Sequence, residues 1–135
     1  MKRVVIAAMM VLSVTALAGK EERDFMTKEV KPAAQAAAAK YKSACGCALA
    51  INIDETTFKS KDDMPAARNL CNFIAEGVGD YCNDAASKKA MCQMKSLTIK
   101  KGDDATFTFK AGKGVATVYG ITAPSFEMLT GELDK

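Results

Sequence analysis

The side chains of this chain whose type and spacing first suggest chemistry are its five cysteines, Cys45, Cys47, Cys71, Cys82 and Cys92, and it contains no histidine. Without imidazole there is no Ser-His or Cys-His nucleophile pair, no imidazole metal ligand and no histidine pH switch. Two chemistries remain for the thiols. In an oxidising compartment small exported domains use cysteines as staples, and five cysteines make two bridges with one thiol left over. Alternatively, Cys45 and Cys47, one residue apart, act with Cys92 in thiol-redox or Cu(I) handling, with Met91 and Met94 as further soft ligands. Cys45 stands at the end of an expected helix, where the dipole disfavours a thiolate, although Lys40 and Lys42 act in the opposite sense. Structural bridges are therefore the expectation.

Spacing then selects the partners. A helix from Tyr81 to about Met94 would hold Cys82 and Cys92 ~15 Å apart along its axis, beyond the ~7 Å that a bridge spans between Cα atoms. Cys71 and Cys82 flank Gly77-Val78-Gly79-Asp80, which reads as a break between two helices with Asp80 as N-cap, so a Cys71–Cys82 bridge would close a helical hairpin. Cys47 shares the parity of Leu49 and Ile51, the side that helices must cover, so it is expected to pair with Cys92. Cys45 is then the free thiol. Exchanging the roles of Cys45 and Cys47 is the nearest alternative, because a two-residue offset moves the Cα by at most ~7 Å.

Other motifs fall short of function. Gly112-Lys113 lacks the earlier glycine and the following Ser or Thr of a phosphate loop, and Gly77-Val78-Gly79 lacks the third glycine of a dinucleotide fingerprint. Asp62-Asp63 and Asp103-Asp104 lack the glycine and glutamate of a calcium loop. No serine has a lysine three residues downstream. The expectation is a non-catalytic protein with no metal and no cofactor.

The elements that must position the cysteines follow from pattern. Met1-Lys2-Arg3, the apolar run Val4 to Leu12 and Ala16-Leu17-Ala18 read as a signal peptide over residues 1–18, which leaves a single domain over 19–135 in the periplasm or outside the cell. Without Lys2 and Arg3 the 19 basic residues become 17 against 16 acids, so the net charge falls from +3 to +1. That removes the electrostatic footprint of a nucleic-acid binder, and no later apolar run reaches the ~20 residues of a membrane span. Glu21 to Ala44 are strong helix formers, with Val30, Ala34, Ala37, Tyr41 and Ala44 on one stripe and Gly46 at the C-cap. Pro32 either kinks this helix or opens a second one. Leu49, Ile51 and Ile53 alternate as a strand. Pro65 opens a helix carrying Ala67, Leu70, Cys71 and Ile74 on one face.

Three β-rich runs follow, Leu97 to Lys100, Ala105 to Lys110 and Val115 to Ile121, separated by turn residues. The fold expected is α+β, two layers, with a mainly antiparallel four-stranded sheet and helices packed on one face. Its core would include Tyr41, Leu49, Ile51, Ile53, Leu70, Ile74, Leu97, Ile99, Phe107, Phe109 and Val118. Beyond the last strand, Phe126, Met128 and Leu129 form an apolar group, with Leu133, that is expected either to dock on the core or to meet a partner. The expected partner is a protein or a small molecule.

Overall fold

The computed structural model describes residues 19–135; the signal-peptide reading concerns residues 1–18 and lies outside them. The chain opens with a helical run made of α1 (Lys20–Phe25), a π turn over Met26–Val30 and α2 (Lys31–Cys45). Pro32 sits in the first turn of α2, so both readings of it meet here. A proline deprives the previous turn of a hydrogen bond and crowds its carbonyl, and the wider π turn immediately upstream accommodates that without ending the helix. Met26, Val30, Ala34, Ala37, Tyr41 and Cys45 form the buried stripe. Gly46 closes α2 with φ +83°, donating its N–H to the Lys42 carbonyl at 2.9 Å, a left-handed geometry that favours glycine.

Helix α3 (Met64–Tyr81) runs beside α2 in the same direction, with Glu29 and Arg68 paired at 3.2 Å near one end and Lys40 against Gly79 near the other. It passes uninterrupted through Gly77-Val78-Gly79-Asp80, which corrects the expected break there. Gly77 serves close packing instead: a Cβ at this position would meet the Phe126 ring at 2.6 Å. The chain breaks at Cys82, and Asp84 rather than Asp80 caps the short helix α4 (Ala85–Met91), accepting the Ser87 N–H at 2.7 Å.

The sheet has the order β1-β2-β4-β3, from β1 (Ala50–Ile53), β2 (Ser96–Lys101), β3 (Thr106–Lys110) and β4 (Lys113–Val118). It is mixed, which corrects the mainly antiparallel expectation: β1 with β2 and β2 with β4 are parallel, and β3 with β4 is antiparallel. Two helices intervene between β1 and β2, and such a crossover returns the chain in the same direction. The hairpin of β3 and β4 turns through Ala111 (φ +53°) and Gly112 (φ +82°), the two positive φ values of a tight hairpin turn. Strand β4 thereby inserts between β3 and β2. It ends at Val118, short of the expected Ile121, because a turn around Gly120 (φ +60°) pairs Tyr119 with Thr122.

Helices and sheet enclose one core. Leu97, Ile99, Ala116, Val118 and Phe107 point from the sheet into it, and Tyr41, Leu70, Ile74 and Leu49 meet them there. The buried Tyr41 hydroxyl donates to the Met91 carbonyl, satisfying both groups. Three of the expected core residues, Ile51, Ile53 and Phe109, are only half-buried. They lie on β1 and β3, the two edge strands, where the covering layer ends. The last helix, α5 (Phe126–Leu133), is capped by Ser125 and buries Leu129 and Leu133.

Candidate functional site

Four of the five cysteines are brought together at one pole. Cys45, at the end of α2, is bridged to Cys82, at the end of α3, with 5.2 Å between their Cα atoms. Cys47 is bridged to Cys92, just past α4, at 5.9 Å. The two bridges from Cys45-Gly46-Cys47 thus hold both ends of α4. The expected Cys71–Cys82 pair is not formed, and Cys45 is not the free thiol. With α3 continuous, Cys71 and Cys82 are separated by about 16 Å of axial rise, more than twice what a bridge can span. Cys71 is the free cysteine, fully buried, and burial pushes its thiol up to about 12. The sulfurs of Cys45, Cys47 and Cys92, on which a redox or copper function would rest, are all in bridges. Among the described residues no group of three or more cysteine, histidine or acidic side chains is arranged to hold a metal.

These positions carry a direct expectation. A thiol reagent added to the native, non-reduced protein should label nothing, and after denaturation it should label one residue, Cys71. Labelling of two or more thiols in the unfolded, non-reduced chain would contradict the bridges.

The apolar group near the C-terminus divides. Leu129 is completely buried, so it belongs to the core and is withdrawn as a contact for a partner. Helical periodicity explains why: Leu129 and Leu133 lie one turn apart on the face of α5 that meets the core. Phe126 is half-buried, its ring edge-on to Tyr81 at 5.8 Å, and Met128 is 42% exposed. Tyr81 in turn donates to the Asp134 carboxylate at 2.7 Å, and desolvation together with that bond raises its phenol to about 12.

Residues outside that segment extend the surface. Phe73, Tyr119 and Ile121 are 39%, 53% and 74% exposed. The turn holding Ile121 is tied to α3 by the Asn69 amide, which donates to the Ile121 carbonyl at 3.3 Å, and by the Asp63 carboxylate, which accepts the Gly120 N–H at 3.2 Å. Phe73 follows Asn69 by one helical turn, and Phe73 and Phe126 share a groove of about 330 Å³ between α3 and α5. Ile121, Phe73 and Phe126 therefore succeed one another along α3. Glu76 and Glu127 border the groove, which makes its rim acidic. Sequence reading missed Phe73 because it is an apolar residue on a helix otherwise patterned for burial, and missed Ile121 because β-rich composition placed it in a strand.

A second groove, of about 410 Å³, lies between α2 and the edge strand β1, lined by Ala34, Ala38, Ile51 and Ile53, with the Lys31–Glu55 ion pair at 3.0 Å at one end. The strand beside it has four residues, the short edge by which folded chains limit strand addition. Among the described residues no helix is long and apolar enough to cross a membrane. No known protein family matches the chain, and no curated protein or solved structure matches it.

Proposed function

We propose that the chain is an exported, disulfide-stapled binding module without catalytic activity, whose partner is a protein that inserts an apolar side chain, flanked by lysine or arginine, between α3 and α5. The observation that carries this reading is the exposure of Phe73 and Ile121 along α3, with Phe73 lining a groove that has two glutamates on its rim. Aromatic and aliphatic side chains held out to water on anchored turns are unfavourable in a free monomer and suit a recognition surface. The rim glutamates would favour basic neighbours in the partner. Export is supported by the basic start, the apolar run Val4 to Leu12 and Ala16-Leu17-Ala18, and by two bridges of a kind that persist in oxidising compartments. The mature N-terminus is then Gly19.

Selection of displayed peptides on residues 19–135 tests the reading. Peptides should converge on an aliphatic or aromatic residue next to lysine or arginine, and Phe73→Ser with Ile121→Ser should weaken their binding about tenfold or more. Both positions are exposed, so the double variant should keep the thermal unfolding midpoint of the parent. Peptides without convergence, or binding indifferent to the two substitutions, would reject this surface.

A further inference from the structure

Charge is unevenly placed in this nearly neutral chain: residues 85–118 hold seven lysines against two acids, Asp103 and Asp104. The strand registers decide where these lysines go. On the sheet face turned away from the core, Lys110 of β3 stands directly opposite Lys113 of β4, which is opposite Ser96 of β2. The next row of that face holds Thr108, Val115, Thr98 and Asn52, and the third holds Thr106, Thr117 and Lys100. None of these residues is buried, so no layer covers this face.

One feature of the face is unfavourable for the isolated domain, and another leaves hydrogen-bonding groups available to a ligand. Like charges directly opposite on adjacent strands repel, and Lys100, Lys110 and Lys113 form no ion pair among the described residues. Carboxylates stand only at its margin: Asp103 and Asp104 in the turn between β2 and β3, and Asp54 just past β1, which accepts the Thr56 hydroxyl at 2.8 Å. Thr106 and Thr117 bond to one another, yet the hydroxyls of Ser96 and Thr98 and that of Thr108 make no hydrogen bond among the described residues. At ~3.3 Å per residue and ~4.8 Å per strand, the Lys113 to Lys100 diagonal is about 14 Å; Thr98 lies beside its midpoint, Ser96 beside its Lys113 end, and Thr108 one strand to the other side, on β3.

We propose that this uncovered face binds a linear acidic glycan, with Lys100, Lys110 and Lys113 meeting its anionic groups and Ser96, Thr98 and Thr108 hydrogen-bonding its sugar hydroxyls. An anionic partner relieves the lysine repulsion, and a hydroxyl-bearing chain uses the polar groups between the charges. A bilayer would use only the lysines, since no exposed large apolar side chain projects from these rows. This face is separate from the groove between α3 and α5, and its test is independent of that one.

The test titrates residues 19–135 with polygalacturonate, with neutral dextran and with phosphatidylcholine vesicles containing phosphatidylglycerol. Polygalacturonate should bind at low ionic strength, more weakly as salt is added, and dextran should not bind. Lys110→Gln with Lys113→Gln should weaken binding about tenfold, and Thr98→Val with Thr108→Val about threefold. The same charge change on α2, Lys40→Gln with Lys42→Gln, should leave binding unchanged. The proposal is overturned by absence of polygalacturonate binding, by vesicles bound as tightly as polygalacturonate, by an equal loss in the α2 control, or by threonine variants that bind like the parent. Unchanged thermal midpoints establish that each variant is folded.

Discussion

Reducing both bridges of residues 19–135 should lower their stability by ~7 kcal/mol, enough to unfold a domain of this size at ordinary temperature. The Cys45–Cys82 bridge spans a sequence separation of 37. On the chain-entropy account, closing a loop of that length contributes ~4 kcal/mol. Alone, Cys47–Cys92, at a separation of 45, would contribute about the same. Once the first bridge is in place, however, the second closes only the short path from Cys45 to Cys47 and from Cys82 to Cys92, which reduces its contribution to ~3 kcal/mol. The comparison is a pair of thermal unfolding curves with and without reductant, alongside Cys47→Ala with Cys92→Ala. The single-bridge variant should remain folded with a lowered midpoint. A reduced chain with the same midpoint as the oxidised one would show that the bridges do not hold this fold together.

The second large effect is expected at Leu97, in the middle of the sheet. It is fully buried and flanked in register by Ile51 on β1 and Gly114 on β4. Leu97→Ala should cost ~2 to 5 kcal/mol, the lost transfer energy plus the cavity that a sheet closed on both sides cannot collapse. Ile51 belongs to the same row of side chains but is half-buried on the edge strand, beside the groove along α2. Its replacement by alanine should cost about 1 kcal/mol, because part of the side chain is already in water. Denaturant titrations of the two variants give the contrast directly. Equal losses at the two positions would mean that β1 is covered, and that the strand order is different.

Period and parity made much of this fold legible. The stripe Val30, Ala34, Ala37 and Tyr41 is buried because small residues four and three apart let α3 approach closely, and the alternation of β2 places Leu97 and Ile99 inward because a pleated strand has no other choice. Strand pairing was not legible in the same way. Alternating side chains look alike in parallel and antiparallel ladders, and only the β3–β4 turn carries a local signal of direction. The end of α3 was misplaced for a related reason. Gly77 reads as a helix breaker until the Phe126 ring, 49 residues away in sequence, is seen to need its space. That single misplacement carried into the cysteine pairing, since a broken α3 would have brought Cys71 toward Cys82. Of the proposed interaction surface, Phe126 was readable as part of a late apolar group. Phe73 and Ile121 became visible only when the turn at Gly120 was packed on α3.

The buried position of Cys71 has a kinetic consequence for oxidative folding. In the unfolded chain five thiols compete, and any of them can attack a bridge already formed, so pairings interchange. Exchange proceeds through the thiolate, and a thiol pushed up this far by burial stays protonated at neutral pH. Burial also denies its sulfur an approach to either bridge from solvent. Packing the Cys71 face of α3 into the core therefore removes the one nucleophile able to shuffle Cys45–Cys82 and Cys47–Cys92 from within. The completed core acts as the terminator of its own disulfide rearrangement.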